Sequence, residues 1–236
     1  MKKVIFNAII FISSMGCADL GDDLRFQIFS DASDFGVGLE GWTGDFADYP
    51  IGADDSTFYE LQFEYTDRPA NLGVSQKAIL LSGNNHSDDL FMFIKKKIVG
   101  LQPNTEYTLS FEVELASNAE KNTSGIGGAP GESVYLKAGA SGIEPNKIVD
   151  GNFYRLNIDK GNQSTGGNDM SVIGNIAVES SDYSLINKSN SSPYNQFKAR
   201  SNSFGELWLI VGTDSGFEGI TSVYYTKINV VFSTSN

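Results

Sequence analysis

The strictest pattern in the chain is the alternation of apolar and polar residues in EYTLSFEVEL, residues 106–115. Successive side chains of a β-strand point to opposite faces, so this alternation predicts a strand with one buried face and one solvated face. The side chains predicted to face the core are Tyr107, Leu109, Phe111, Val113 and Leu115. We expect Glu112 and Glu114 to lie outside the core.

Further short segments rich in β-branched and aromatic residues also predict strands. They are FYELQFEY (58–65), SVYLKA (133–138), FYRLNI (153–158), MSVIGNIAV (170–178), FGELWLIV (204–211) and TSVYYTKINVVF (221–232). In LFMFIKKKI, residues 90–98, the first half is apolar on both faces and should be covered on both sides, whereas the lysines should reach solvent. No segment has a helical period over several turns. The sequence therefore predicts an all-β fold, a single antiparallel β-sandwich of jelly-roll type.

The first 17 residues, MKKVIFNAIIFISSMGC, have the layout of a secretory signal peptide. Lys2 and Lys3 precede the apolar run Val4 to Ile12, which is too short to span a bilayer because a span needs about 20 apolar residues. Gly16 followed by Cys17 resembles the end of a bacterial lipoprotein signal. The resemblance implies that residues 1–17 form a signal ending at a lipidated cysteine, followed by an acidic tether (18–25) and one sandwich domain (26–236).

Cys17 is the one cysteine of the chain, so no intramolecular disulfide can form. Lipidation explains this unpaired cysteine, and two or more acyl chains give stable membrane anchoring. The expected location is extracytoplasmic, anchored by palmitate-type chains to a bacterial membrane, the outer membrane in particular. The membrane is expected to be a partner through this lipid anchor only.

The charge of the chain excludes one class of partner. The formal net charge is −12, from 17 basic and 29 acidic residues. Removing the signal removes two lysines and no acid, which leaves −14. Such acidity argues against nucleic acid and against anionic lipid as partner surfaces, and it is compatible with neutral ligands or cations.

The segment VGLQPNTEYTLSF, residues 99–111, resembles a segment of jelly-roll carbohydrate-binding modules with the galactose-binding-like fold. Fibronectin type III domains share much of it. The resemblance implies that Leu101 fills the core, that Pro103 and Asn104 turn the chain, and that Tyr107 opens the next strand.

Two other features resemble the same modules, so the likeness extends over roughly residues 40–232. They are the pair Gly41-Trp42 and the closing strand around Tyr224 and Tyr225. The modules often have aspartates after that aromatic pair, and this chain has Thr226 and Lys227 there. This departure puts a site inherited from that strand in doubt. The family implies a glycan ligand.

Aromatic side chains offer flat apolar area on which a sugar ring can stack. The candidates are Trp42, Tyr49, Trp208, Tyr224 and Tyr225. Trp208 lies within LWLIV and is expected in the core. Trp42 lies among glycines and polar residues, so we expect it to be exposed and to contribute to ligand binding.

The order of the loops along the chain predicts which end of the sandwich carries most of the acidic residues. If all connections are antiparallel, alternate loops share one end of the sandwich. Those assigned to one end are 50–57, 83–89, 116–132, 159–169 and 212–219, and those assigned to the other are 66–75, 99–105, 139–152 and 179–203. The first set carries the ten acids Asp54, Asp55, Asp88, Asp89, Glu120, Glu132, Asp159, Asp169, Asp214 and Glu218 against Lys121 and Lys160. In the second set, acids and bases cancel.

The acidic loops also contain the glycine-rich stretches GIGGAPGES and STGGND, whose backbone can approach a ligand closely. The residues predicted to bind a ligand are Trp42, Asn84, Asn85, Asp88, Glu132, Asp169, Asp214 and Glu218. Hard cations prefer clustered carboxylate and carbonyl oxygens, so a structural calcium is predicted at Asp88, Asp89 and Asp214.

The sequence is compatible with three classes of function. The favoured class is a non-catalytic binding module for a glycan. No catalytic residue is assigned, since the chain has one histidine, His86, and no nucleophile elbow. A polysaccharide hydrolase or lyase that uses carboxylates of the acidic loops is the second class, and a structural or adhesion lipoprotein is the third.

Overall fold

The computed structural model describes residues 28–52, 57–73, 76–191 and 196–234. Cys17 and the predicted signal and tether lie outside this range, so their boundaries stay predictions. The described residues form fifteen strands and one 3₁₀ turn, Ala70–Leu72. The strands are β1 (Ile28–Asp34), β2 (Thr43–Ala47), β3 (Tyr49–Pro50), β4 (Gln62–Asp67), β5 (Lys77–Asn84), β6 (Leu90–Ile98), β7 (Glu106–Ser117), β8 (Val134–Ser141), β9 (Lys147–Asp150), β10 (Phe153–Leu156), β11 (Met170–Asn175), β12 (Ser184–Ser189), β13 (Phe197–Arg200), β14 (Leu207–Ser215) and β15 (Ile220–Ser233).

Two antiparallel sheets pack face to face, and the predicted all-β antiparallel sandwich is confirmed. Sheet A has the order β12-β7-β15-β5-β4, with β1 also beside β15 and β13 also beside β7. Sheet B has the order β11-β8-β14-β6-β2. A small third sheet, sheet C, has the order β3-β10-β9. In the part of the chain that the structure describes, no helix has the length and apolar character that a membrane span requires.

Strand β7 follows the alternation read from the sequence. Its predicted core residues from Tyr107 to Leu115 are all buried, Glu112 is exposed and Glu114 is half-buried. The turn before the strand also agrees with the prediction, because Leu101 is buried and Asn104 has a φ of 53°. The backbone N–H of Gln102 donates to the hydroxyl of Tyr107, which ties this turn to the strand.

Strand β6 is covered on both faces, as its apolar first half predicted. Met92 and Ile94 lie in the core between the sheets, whereas Phe91 and Phe93 belong to a second apolar cluster with Ile210. Sheet C and the loop after it cover this second cluster on the outer face of sheet B. The expectation for the lysines is wrong at Lys95, which is buried and donates to Glu144, Pro145 and Asn146.

Strand register locates the loops at the two ends of the sandwich. Ser215 pairs with both Leu90 and Val134, and Ile220 pairs with Asn84. Loops 85–89, 118–133 and 216–219 therefore share one end, as predicted. We call the surface formed by residues 85–89, 118–133, 176–183 and 216–219 the acidic end.

Two loop assignments are corrected. Residues 176–183 belong to the acidic end because Ser184 pairs with Ser117, and Glu179 forms an ion pair with Lys121. Residues 159–169 do not lie wholly at the acidic end. They run along the outer face of sheet B, because their path from Lys160 to Asp169 follows strand β8. Loop parity fails there because it assumes that every connection joins antiparallel strands at one end of the sandwich, whereas this segment runs along a sheet face.

Candidate functional site

The structure places Trp42 in the core, so the prediction of an exposed, ligand-binding Trp42 is wrong. Its side chain is 1% exposed and packs edge-on against Phe35. The indole N–H donates to the hydroxyl of Ser33 at 2.9 Å. The surrounding glycines and polar residues form a turn, closed by a hydrogen bond from Trp42 to Leu39, that directs the ring inward.

Trp208 is also placed differently from the prediction. It lies half-buried on the outer face of sheet B, not in the core between the sheets. The ammonium groups of Lys95 and Lys97 lie 5.6 and 5.9 Å from its ring centre. Two cations over one aromatic face occupy the surface on which a sugar would stack.

Asn85 has a structural role in the loop that follows β5. It is buried and donates to the carbonyls of Ser215 and Phe217, and its own side-chain oxygen accepts from the backbone N–H of Ser87. The neighbouring Asn84 donates to Glu60 at the surface. The loop is therefore fixed against β14, and this fixes the position of Asp89.

His86 lies on the surface beside an aromatic ring. Its imidazole stacks on Phe58 with ring centres 4.1 Å apart, and its Nε2 is 2.9 Å from the carbonyl of Phe58. Both side chains are exposed. The two rings form an exposed stacked pair, in which His86 lies three residues before Asp89 in the same loop and Phe58 comes from the segment before β4.

Asp214 lies at the centre of a buried group of charges on the outer face of sheet B. One of its oxygens, Oδ2, accepts from Lys137 at 2.8 Å, from Lys160 at 2.8 Å and from the backbone N–H of Gln163 at 2.9 Å. Asp214 and Lys137 are fully buried. Lysine ammonium groups thus occupy the place where the sequence predicted a metal ion.

The group continues toward solvent through Asp48, Asp89 and Arg155. Lys160 lies 3.0 Å from Asp48 and 3.9 Å from Asp89 Oδ1. One guanidinium nitrogen of Arg155 donates to Asp48 at 2.9 Å and to Asp89 at 3.0 Å. Asp89 Oδ1 is buried and has no hydrogen-bond donor among the described residues.

These groups line an open cleft of about 240 Å³, which we call the charged cleft. Its lining combines two apolar residues, Leu156 and Ile158, with charged and polar ones. The lining residues are Asp48, Asp89, Arg155, Leu156, Ile158, Asp159, Lys160, Gly161 and Asn162. The cleft thus offers hydrogen-bond acceptors and donors together with some apolar surface.

Burial and pairing shift the pKa values of these groups. Burial raises the pKa of Asp89 from 3.8 to about 6, against the opposing charge of Lys160. Burial also lowers the pKa of Lys137 despite its contact with Asp214. For Lys160, burial lowers the pKa, but the carboxylates of Asp214 and Asp48 outweigh it and the net pKa is raised. The hydrogen bond to Asp48 raises the pKa of Arg155.

The other predicted ligand residues are spread over three places. Asp88 and Glu218 are neighbours, since a Cβ added to Gly127 would lie 3.3 Å from an Asp88 oxygen and 3.1 Å from Glu218 Cγ. Glu132 accepts from the backbone N–H of Asn122. Asp169 accepts from the N–H of Asp159 and lies beside Ala140, away from the acidic end. The predicted single site containing all of these residues is therefore wrong.

The metal prediction does not gain support from this arrangement. Within residues 28–52, 57–73, 76–191 and 196–234, no group of three or more His, Cys, Asp or Glu side chains is placed to hold a metal ion. Asp89 and Asp214 face lysines, and Asp88 lies in the neighbourhood of Gly127 and Glu218. Calcium binding by Asp88, Asp89 and Asp214 stays an untested prediction.

Sequence reasoning missed Asp48, Arg155 and Asn162 as members of the cleft, and it missed Lys137 as the buried partner of Asp214. One signal could have located its neighbourhood. Strand β6 is apolar on both faces, which required a segment to cover sheet B from outside, and FYRLNIDKGN is the amphipathic segment that does so.

Lowering the pH should stabilise the fold through Asp89. Its pKa in the folded protein, about 6, is above the ordinary value of 3.8, so the folded state binds the proton more tightly than the unfolded state. This contribution to the free energy of unfolding rises as the pH falls from about 7 toward 4. Asp89→Asn should therefore stabilise the protein relative to wild type at pH 7.5 and stabilise it less at pH 4.5, as measured by urea unfolding. The exposed Asp182→Asn is the control, and an equal effect of Asp89→Asn at both pH values would contradict the assignment.

No protein-family model matches the chain, and no curated protein matches it. The solved structures that resemble it are mainly carbohydrate-binding modules with β-sandwich folds. One comprises the N-terminal modules of xylanase 10B from Clostridium thermocellum, at 12% identity and a TM-score of 0.38, covering 87% of this chain and 28% of that one. Another is a module described for specific mannan recognition, at 11% identity and a TM-score of 0.37, covering 90% and 99% of the two chains.

An adhesin domain of Lys-gingipain from Porphyromonas gingivalis is similar at 9% identity and a TM-score of 0.37, covering 87% of this chain and 99% of that one. The chain spans 19% of a bacteriophage CBA120 tailspike chain that it also resembles, with a TM-score of 0.37. Similarities at these scores carry no argument about function. The function is therefore inferred from the residues of this chain.

Proposed function

We propose that this protein is a lipid-anchored, non-catalytic glycan-binding module that holds a sugar residue in the charged cleft. The lipid anchor is Cys17, and the location is the bacterial outer membrane. The observation that carries the proposal is the set of donors and acceptors that lines the cleft: Asp89 Oδ1 lacks a hydrogen-bond donor among the described residues, and Arg155, Lys160 and Asn162 line the same cleft.

The chemistry of the cleft favours a neutral polyhydroxylated ligand. A hydroxyl group both donates and accepts, so it can bond to Asp89 and to Arg155 at once. Four carboxylates, Asp48, Asp89, Asp159 and Asp214, face the three cations Lys137, Arg155 and Lys160 in the cleft and beneath it, so the charges nearly cancel and neither a strongly anionic nor a strongly cationic ligand is favoured. The volume is below the roughly 300 Å³ at which sites for drug-sized ligands begin, which suits a single sugar residue.

The exposed Phe58–His86 pair extends the proposed site. His86 of this pair lies in the same loop as Asp89, and the pair offers a flat face on which an adjacent sugar of a chain could stack. A ligand of two or more residues would then use the cleft and this pair together.

A second function, polysaccharide hydrolysis, is favoured by one observation. The raised pKa of Asp89 is a property of general acids in glycosidases, and Asp48 is a second carboxylate on the same guanidinium nitrogen. Against it, Arg155 lies between the two carboxylates and occupies the space where a scissile bond would have to enter.

A glycan array tests the proposed function. The soluble Cys17→Ser protein should bind at least one neutral oligosaccharide at pH 7 and should release no reducing sugar from a polysaccharide panel. Release of reducing sugar that is lost in Asp89→Asn would establish the hydrolase instead. Absence of both binding and turnover would reject both functions and favour a structural or adhesion lipoprotein.

A further inference from the structure

The polypeptide enters the fold at the end of the sandwich opposite the acidic end. Ile28, the first residue of β1, pairs with Ser233 at the end of β15, and Ser233 pairs with Thr108 near the start of β7. We call the surface formed by Ile28 and residues 99–105, 142–146 and 202–206 the tether end.

Large apolar side chains project into solvent at the tether end. Phe204 is 80% exposed, and Ile28, Val99 and Ile143 are each more than half exposed. The three loops that carry Phe204, Val99 and Ile143 contact one another. The N–H of Leu101 donates to the carbonyl of Gly205, and the side chain of Asn202 donates to the carbonyl of Gly142. The apolar side chains are thus held on one supported surface.

The tether end is electrically balanced. Glu144 pairs with Lys95, and Glu206 pairs with Lys97. Glu106 pairs with Lys198 and lies 3.9 Å from Arg200. An approaching anionic surface therefore meets no excess of negative charge there.

The acidic end differs in charge, although it also exposes apolar side chains such as Ile126. Its carboxylates are Asp88, Asp89, Glu120, Glu132, Glu179, Asp182 and Glu218. Among the described residues of its loops, Lys121 is the one lysine or arginine, and it pairs with Glu179. An anionic lipid surface would repel this end within a Debye length of about 8–10 Å.

We propose that the tether end lies on the lipid surface, with Phe204 and its apolar neighbours in the headgroup region and the charged cleft directed away from the membrane. This inference rests on the proposed anchor at Cys17, and it adds a contact of the protein surface to the membrane contact through the lipid anchor alone that the sequence predicts. The ten residues 18–27 reach at most about 33–36 Å when fully extended, so the lipid keeps the sandwich close to the bilayer. The exposed apolar surface and the charge difference between the ends then select the orientation.

Single introduced cysteines can report this orientation. Once Cys17 is lipidated its sulfur no longer reacts with maleimide, so an added cysteine is the one labelled position. The probes are Phe204→Cys, Val99→Cys, which retains Phe204, and the control Ser124→Cys in an exposed loop of the acidic end. Each protein, labelled with an environment-sensitive nitrobenzoxadiazole, is reconstituted into phosphatidylethanolamine–phosphatidylglycerol vesicles with or without doxyl-labelled lipid.

Positions 204 and 99 should show blue-shifted emission and quenching by the doxyl lipid at least threefold greater than position 124. Equal quenching at the two ends, in protein that floats with the vesicles, would overturn the inference and leave the anchor intact. A shift at position 204 without doxyl quenching, lost on dilution, would assign this surface to a second copy of the chain instead. Failure of wild-type protein to incorporate palmitate or to float would overturn the anchor and this inference with it.

Discussion

Replacing Asp214 by asparagine should lower the free energy of unfolding by about 3–5 kcal/mol, because it leaves two buried ammonium groups without their shared carboxylate. Asp214 Oδ2 is the acceptor for both Lys137 and Lys160, and Lys137 has no exposed side-chain surface. Asparagine retains the size of the side chain, removes its charge and replaces one of its two acceptor oxygens by an NH2 donor. Denaturant unfolding at pH 7 measures the loss.

The matched control for this change is Asp67→Asn, which removes a carboxylate from the exposed ion pair with Lys77. A surface pair contributes about 0–1 kcal/mol, so this variant should unfold near wild type. The double variant Lys137→Met/Asp214→Asn should recover part of the loss, since Lys160 keeps Asp48. If Asp214→Asn lowers the free energy of unfolding no more than Asp67→Asn does, the ion pairs of Asp214 with Lys137 and Lys160 do not stabilise the fold as described.

The sandwich was predictable because its signal is local. In β7 the alternation of apolar and polar side chains predicts which face is buried, and each residue predicted to be buried is buried in the structure. The same is true of the turn at Leu101 and Asn104, where the residue types fix the backbone. Burial on both faces of β6 likewise follows from its apolar residues, because the hydrophobic effect penalises either face in water.

The site was only partly predictable because its members come from distant parts of the sequence. The charged groups come together only when the segment around residues 153–166 folds over sheet B; they are Asp48, Asp89, Lys137 and Lys160. Loop order alone does not predict that a segment lies across a sheet face. Charge counting placed Asp214 among repelling carboxylates, whereas strand alternation places Lys137 beside it on the same face of sheet B. Trp42 was misplaced since neighbouring glycines reveal a turn without showing which way the ring points.

If the charged cleft binds the glycan, substitutions within it should lower the affinity for the glycan, and substitutions elsewhere should not. Arg155→Ala removes a charged donor at the wall, and Asn162→Ala removes an amide without changing the charge. A hydrogen bond to a charged group contributes about 1.5–3 kcal/mol, so Arg155→Ala should weaken binding by roughly tenfold to a hundredfold. Arg200→Ala, an exposed arginine near Glu106 at the opposite end, is the matched control and should bind as wild type.

Calorimetric titration of these proteins with the strongest oligosaccharide from the array is the most direct measurement. All variants are first compared with wild type by denaturant unfolding, so that a loss of affinity is not a loss of fold. If the cleft binds the glycan, Arg155→Ala and Asn162→Ala should bind the oligosaccharide more weakly than wild type, and Arg200→Ala should bind it with unchanged affinity. Wild-type affinity in both cleft variants, with a loss in Arg200→Ala, would contradict it and place the ligand at the other end of the sandwich.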